Sequence, residues 1–369
     1  MIGTTKIRVL VIDDSAIVRK VLTDVLSSQP DIEVVGTAPD PYVARDKIIA
    51  LNPDVLTLDI EMPRMDGLTF LDRLMVSHPM PVIVISSLTK SSTRSALEAV
   101  HRGAVDVMAK PGGPYSVGDL REDLPRRVRA AARAQVRRAG PLPAQYKVTE
   151  RGEVRKAGAQ DAAPKFVGAS WKRDHFVAIG ASTGGTLAIE EILCQFPADF
   201  PPVVATQHIP IGFSGAFAER LNGCCAMRVS EAKDGDLLQP GHAYIAPGNQ
   251  HMQIIKASRG GYAVRLHDGP KIHYQRPAVD ELFFSVAKLS GSIAIGILLT
   301  GMGKDGAEGL LALKNAGCHT IAQDEASCVV FGMPREAILL GAALEVCPLS
   351  TIAARAMAAI SRQVCINAK

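Results

Sequence analysis

The chain has 369 residues, too long for one ordinary domain and suited to two. Apolar residues at 47% and charged residues at 21% exclude a disordered or fibrous protein, and Lys+Arg 41 against Asp+Glu 37 is too mild a surplus to argue for nucleic acid. No apolar run reaches the ~20 residues of a membrane span and no signal-peptide-like stretch opens the chain, so a cytoplasmic protein without membrane insertion is expected.

The first part of the chain alternates short β-type runs with helical patterns. Ile7–Ile12 reads as a buried strand stopped by Asp13 and Asp14. A helix follows from Ser15, an N-cap residue, with Ile17, Val18, Val21, Leu22 and Val25 on one face. Val34-Val35-Gly36 is a short strand and Asp40–Leu51 a helix. Three more strands end at Asp59, at Ser86 and near Lys110-Pro111. Strand–helix alternation with short connections predicts a doubly wound parallel sheet.

From about residue 121 the character changes. Arg126, Arg127, Arg129, Arg133, Arg137 and Arg138 sit among alanines, and a Pro/Gly/Ala/Lys-rich stretch continues to about Lys165. A basic helix closing the first domain and then a solvated linker is the simplest reading, ahead of a site for anions. The expected division is a domain over 1–124, a basic linker over 125–164 and a second domain over 165–369.

The second α/β pattern starts with the strand Phe176–Ile179, which runs into Gly180-Ala181-Ser182-Thr183-Gly184-Gly185 and a helix through Ile189, Ile192 and Leu193. Val203–Thr206 is a strand ending at Gln207-His208. Segments 243–245, 252–255 and 262–266 read as antiparallel strands, the last two joined by a turn at Ser258-Arg259-Gly260-Gly261. Ile293–Leu299 is a long buried strand feeding the glycine-rich loop Thr300–Gly306. The seven cysteines are odd in number, all follow residue 190 and form no CxxC pair. That pattern suits reduced thiols better than a disulfide framework or a zinc site.

Two groups of strand-end residues carry chemistry. Asp13, Asp14 and Asp59 follow strands at their carboxyl ends, the edge where open parallel sheets bind ligands. Converging carboxylates repel unless a cation joins them, and all-oxygen ligation favours Mg²⁺. Ser86 and Lys110 would add a hydroxyl and a positive charge, which together make a phosphoryl-transfer site with Asp59 as nucleophile.

The second group is a serine hydrolase constellation. Gly180-Ala-Ser182-Thr-Gly184 matches G-x-S-x-G between strand and helix, the setting of a nucleophile elbow. A degenerate dinucleotide fingerprint fits worse, because Ser182 stands where close approach of a pyrophosphate needs glycine and the next strand ends in Gln207-His208 without an acidic residue. His208 is placed to act as base and Asp305 as orienting carboxylate, with Asp280 the rival for the latter role. Backbone N–H groups of Thr183 and Met302 are candidate oxyanion donors. His175, His242, His251, His267, His273 and His319 are expected to be surface or core residues.

Residues 5 to about 120 resemble a response-regulator receiver domain, through Asp13-Asp14, Asp59 within LDIEMPRMDG, Ser86 and Lys110-Pro111. The resemblance implies a flavodoxin-like fold and phosphate transfer to Asp59 from a histidine kinase. It further implies Mg²⁺ held by Asp13, Asp14, Asp59 and the backbone carbonyl of Glu61, and a cis Lys110-Pro111 bond. Val107 stands where the family usually carries an aromatic switch residue. From about 165 the chain resembles the chemotaxis protein-glutamate methylesterase (CheB) family, through IGASTGG, TQHIP, LLTGMGKDGAEGL and DEASCVVFGMPREA.

That second resemblance implies a Rossmann-like domain with added antiparallel strands and hydrolysis of γ-glutamyl methyl esters on chemoreceptors, with deamidation of receptor glutamines. No cofactor is expected for the esterase reaction, and the expected state is a monomer. The long linker suggests that the unphosphorylated receiver covers the esterase cleft. A receiver-coupled transcription factor is disfavoured, since no helix-turn-helix pattern follows the basic stretch. A non-catalytic receptor-binding module is the other alternative.

Overall fold

A computed structural model of the protein describes residues 6–112, 117–136, 146–148, 154–156, 175–289 and 293–366. They form two compact units, one built chiefly from Met1–Gly140 and the other from Pro141–Ile209 and Ser214–Lys369.

The first unit runs β1 (Ile7–Ile12), α1 (Ala16–Ser27), β2 (Ile32–Ala38), α2 (Pro41–Leu51), β3 (Val55–Asp59), α3 (Gly67–Ser77), β4 (Val82–Ser86), α4 (Lys90–His101), β5 (Asp106–Ala109) and α5 (Val117–Ala131). The strands lie in the order β2-β1-β3-β4-β5 and every pair is parallel. β3 and β4 are buried along their whole length, which is why they read as unbroken apolar runs rather than alternating ones. Ser15, Asp40, Asp66 and Thr89 each accept a hydrogen bond from a first-turn amide of the following helix, so helix starts coincide with strand-end loops.

The basic stretch expected to open the linker at 125 begins inside α5. Leu120, Leu124, Val128 and Ala131 are fully buried on one face of that helix, and the apolar spacing continues past 124. Its arginines serve the same unit: Arg127 pairs with Asp106 at 2.7 Å and Arg129 with Asp31 at 2.7 Å. Beyond α5, β6 (Tyr146–Val148) and β7 (Val154–Lys156) pair antiparallel. The remainder of the expected linker lies outside the described residues.

The second unit runs β8 (Phe176–Ala181), α6 (Gly185–Leu193), β9 (Val203–Gln207), α7 (Phe213–Cys224), β10 (Arg228–Glu231), β11 (His242–Ile245), β12 (His251–Lys256) and β13 (Tyr262–His267). It continues with α8 (Val279–Ala287), β14 (Ala294–Leu298), α9 (Ala307–Asn315), β15 (His319–Gln323), α10 (Met333–Leu339), β16 (Glu345–Cys347) and α11 (Leu349–Ile366). Seven strands form a sheet in the order β10-β11-β9-β8-β14-β15-β16, all pairs parallel.

The expected hairpin is present: β12 and β13 pair antiparallel from His251↔His267 to Lys256↔Tyr262. Its inner residues Met252, Ile254 and Val264 join the core that holds Leu282, Phe283 and Val286 of α8 and Leu310 and Leu313 of α9. The third segment read as antiparallel, 243–245, is instead part of β11 and pairs parallel with both β10 and β9. The chain between β10 and β11 is long enough to return to the starting edge of the sheet, which a tight hairpin turn is not. Ala243, Tyr244 and Ile245 are accordingly all buried, as an interior parallel strand requires.

Leu124 measures how far the first unit extends. Leu124→Ala is expected to destabilise that unit by about 2–5 kcal/mol in urea unfolding, the usual cost of a buried leucine; a change within ~0.5 kcal/mol would show that α5 does not belong to its core.

Candidate active sites

In the first unit β1 has β2 on one side and β3 on the other, so the sheet reverses its order between β1 and β3. Asp13 and Asp14 follow β1 and Asp59 ends β3, which gathers them at that switch point. Each offers a carboxylate oxygen within 4.8 Å of the others. Lys110 Nζ, at the end of β5, lies 2.7 Å from Asp59 Oδ2 and 3.1 Å from Asp13 Oδ2.

Burial pushes the Asp59 carboxyl up to about 6; the Lys110 hydrogen bond opposes this and the Asp13 charge adds to it. Asp13 is likewise raised, by burial first and against the pull of Lys110. Two buried carboxylates sharing one ammonium remain short of positive charge, and an all-oxygen donor set of this kind fits Mg²⁺.

Glu61 enters this site by its backbone. Its carboxylate is held elsewhere, accepting from Ser87 Oγ at 2.8 Å and Ser92 Oγ at 2.5 Å, while its N–H donates to Asp59 Oδ1 at 3.1 Å. Ser86 sits beside Lys110, whose amide donates to its carbonyl at 2.8 Å. The Ser86 hydroxyl itself points to the Ser92 carbonyl at 3.2 Å. The Lys110-Pro111 bond is not cis, contrary to what the resemblance implies; Arg276-Pro277 is the cis bond among the described residues. Trans is the ordinary preference even before proline, and Lys110 reaches both carboxylates without the isomer. Val107 is buried in β5 opposite Val84 of β4.

The second unit repeats the principle. β8 is flanked by β9 and β14, the point where that sheet reverses its order. Ser182 follows β8, His208 follows β9 and Asp305 lies on the loop after β14. Register brings them level: Ala181 pairs with Gln207, and Ser182 N donates to Thr300 O at 3.0 Å. His208 Nε2 is 2.6 Å from Asp305 Oδ2, with both side chains almost fully buried. The amides of Val279 and Asp280 donate to the Asp305 carboxylate at 2.8 and 2.9 Å. Burial alone pushes Asp305 up, but the His208 contact and the two amides outweigh it and hold the carboxyl below its ordinary range.

With Nε2 donating to a carboxylate, the lone pair of His208 sits on Nδ1. Nδ1 is buried and has no hydrogen-bond partner, and it lies at the strand end next to the one that Ser182 follows.

The elbow is braced from an unexpected quarter. Gly184 has φ +78°, and a Cβ there would lie 2.6 Å from Val329. A Cβ on Gly301 would lie 2.4 Å from Met333 Sδ and 2.6 Å from Ser182 Cβ. Thr300 Oγ1 donates to the Thr183 and Val330 carbonyls at 3.0 and 3.2 Å, and Gln207 Nε2 donates to Ser182 O at 2.8 Å. Residues 329–333 thus hold Thr183 and the Gly301-Met302 turn in place. DEASCVVFGMPREA contains this brace, but nothing in its spacing announces the role.

Asp280, the rival carboxylate, lies next to Asp305 and not at the imidazole of His208. It accepts from Gly309 N at 2.7 Å and faces His273 Nε2 at 3.1 Å, tying α8 to α9. His273 therefore belongs to the layer behind the triad, a placement sequence position does not signal. His251 accepts from Ala278 N through Nδ1, and His242, His267 and His319 pair with Ser230, Glu281 and Glu345.

Burial, and then the Asp305 charge, push Asp280 from 3.8 to about 6. A carboxyl with a raised folded pKa binds more protons folded than unfolded, so its contribution to stability falls as pH rises from about 4 to about 6. Urea unfolding of Asp280→Asn is expected to lose this component, up to roughly 3 kcal/mol of pH dependence; an unchanged difference between the two ends of that window would refute it.

Comparison with known proteins follows the same division. Residues 9–119 match the response regulator receiver domain and residues 177–356 the CheB methylesterase family. A protein-glutamate methylesterase/protein-glutamine glutaminase of Syntrophus aciditrophicus is 53% identical over 349 residues, covering 95% of this chain and 98% of that protein. A protein of the same name from Salmonella typhimurium is 49% identical over 361 residues, covering 97% and 98%. Among solved structures, the CheB methylesterase catalytic domain of Thermotoga maritima is 39% identical, covers 51% of this chain and 98% of its own, and has a TM-score of 0.48. A receiver domain implies Mg²⁺-dependent phosphorylation, and no helix among the described residues is long and apolar enough to cross a membrane. The two family matches and near-full-length identity of about half mean that this chain belongs to the CheB family of receiver-coupled protein-glutamate methylesterases.

Proposed function

We propose that the chain hydrolyses γ-glutamyl methyl esters on chemoreceptors, and deamidates receptor glutamines, with Ser182 as nucleophile, His208 as base and Asp305 as orienting carboxylate. The observation that carries this reading is the buried, unpartnered Nδ1 of His208, with Nε2 committed to Asp305, on the strand that neighbours the one leading into Ser182. Ser182 Oγ attacks the ester carbonyl while its proton passes to His208 Nδ1. The N–H groups of Thr183 and Met302 receive the developing oxyanion. The carbonyl re-forms, methanol leaves with the proton from His208, and water then attacks the acyl-enzyme by the same route to give glutamate. With glutamine as substrate, ammonia leaves in place of methanol.

The receiver is the control input. Asp59 takes a phosphoryl group from a chemotaxis histidine kinase, and Lys110 and Ser86 support the phosphorylated state. Asp13, Asp14, Asp59 and the Glu61 carbonyl would hold Mg²⁺, which when bound neutralises charge on the phosphoryl oxygens. Phosphorylation changes the charge at the end of β3, and the esterase rate rises.

A methanol-release assay on methylated receptor tests both halves. Ser182→Ala is expected to lose release entirely while still binding receptor, and Asp305→Asn to lower kcat on the order of 10⁴-fold. Unchanged release from Ser182→Ala would remove it as nucleophile, and a purely receptor-binding role would show no release from the parent protein. Asp59→Asn should abolish the stimulation that a small-molecule phosphodonor gives the parent; equal stimulation in both would overturn the assignment of Asp59.

A further inference from the structure

Three cysteines that are far apart in sequence meet at the far ends of α6 and α7. Cys194 is the C-cap of α6, Cys224 ends α7 and Cys225 follows it. Their sulfurs are separated by 3.5 Å (194–224), 3.6 Å (194–225) and 4.0 Å (224–225), and all three residues are partly exposed and outside any disulfide. A disulfide would need one pair at ~2.05 Å. Three corners of a tetrahedron around a cation with ~2.3 Å metal–sulfur bonds lie ~3.8 Å apart, a value that the observed spacings bracket.

We propose that Cys194, Cys224 and Cys225 form a binding site for a thiophilic divalent cation of the Zn²⁺ type, with a fourth position open to water. The surroundings argue against a reactive or redox-sensing thiol. Sulfurs at helix C-termini face the negative end of both macrodipoles, whereas activated thiolates sit at helix N-termini or beside free cations. Arg220, the nearby guanidinium, is engaged by Glu190 at 3.0 Å. Ordinary thiols, with a pKa of ~8.5, carry their protons at neutral pH until a cation enters.

Binding forms three metal–sulfur bonds and releases three protons to solvent, with no electron transferred. Because α6 starts just after Ser182 and α7 follows the His208 loop, the cation would fasten the trailing ends of the two helices that leave the elbow and the base.

The test uses the full-length protein without a histidine tag, reduced, desalted anaerobically and shown by thiol titration to carry all seven free thiols. Co²⁺ is added in the presence of excess Mg²⁺, which occupies carboxylate sites. One equivalent is expected to produce thiolate-to-cobalt charge-transfer absorption with tetrahedral visible bands, release protons, and be displaced by Zn²⁺. Cys194→Ser and Cys225→Ser should each weaken the cation at least ~100-fold, beyond the usual cost of losing only a supporting group, while Cys347→Ser leaves the spectrum intact. Absence of charge-transfer absorption from the parent protein, or a spectrum unchanged in Cys194→Ser and Cys225→Ser, would overturn the proposal.

Discussion

Asp305 is a carboxylate at 2% exposure, and an ion so deeply placed persists only when its oxygens are fully compensated. Two backbone amides from the first turn of α8 and the imidazole of His208 supply that compensation. The same contacts fix which nitrogen of His208 carries its proton and leave Nδ1 without a hydrogen-bond partner. α8 is in turn pressed against α9 and the β12–β13 hairpin by the apolar core around Phe283. The ionisation of Asp305 and the tautomer of His208 are consequences of one set of contacts.

Both units solve a problem of crowded carboxylates, in opposite ways. In the second, Asp305 and Asp280 are neighbours whose environments push them apart: one is held ionised by donors, the other is raised by burial and by its neighbour's charge. In the first, Asp13 and Asp59 are both raised and share a single lysine. That imbalance suits a site that awaits further positive charge, whereas the second is already neutralised from within.

The strand-end logic made most of this legible in advance. Apolar runs stopped by Asp13, Asp59, His208 and the Gly301 loop are local signals, and a parallel sheet converts them into neighbours. What escaped was decided through space. β11 reads as an ordinary short strand, and its direction depends on where the preceding loop returns. The sequence suggests a basic helix closing the first domain, but the partners of its arginines, Asp31 and Asp106, are brought opposite them only by the fold. Cys194 and the Cys224-Cys225 pair lack metal-site spacing because the ligands come from two helices. Asp280 is only a rival carboxylate in the sequence, and the packing of α8 on α9 is what places it against Gly309 and His273.

Glu61 has one further meaning. Its amide touches Asp59 while its carboxylate grips Ser87 and Ser92, and the Ser92 hydroxyl also meets Thr89, the cap of α4. The aspartate loop and the first turn of α4 are therefore coupled like links of a chain, through side chains of fixed length. Val107, short, branched and packed inside the sheet, offers no ring to swing in response. In this receiver the contact between the Asp59 loop and α4 is made by a row of hydroxyl groups, while the core of β5 carries a valine instead of a ring.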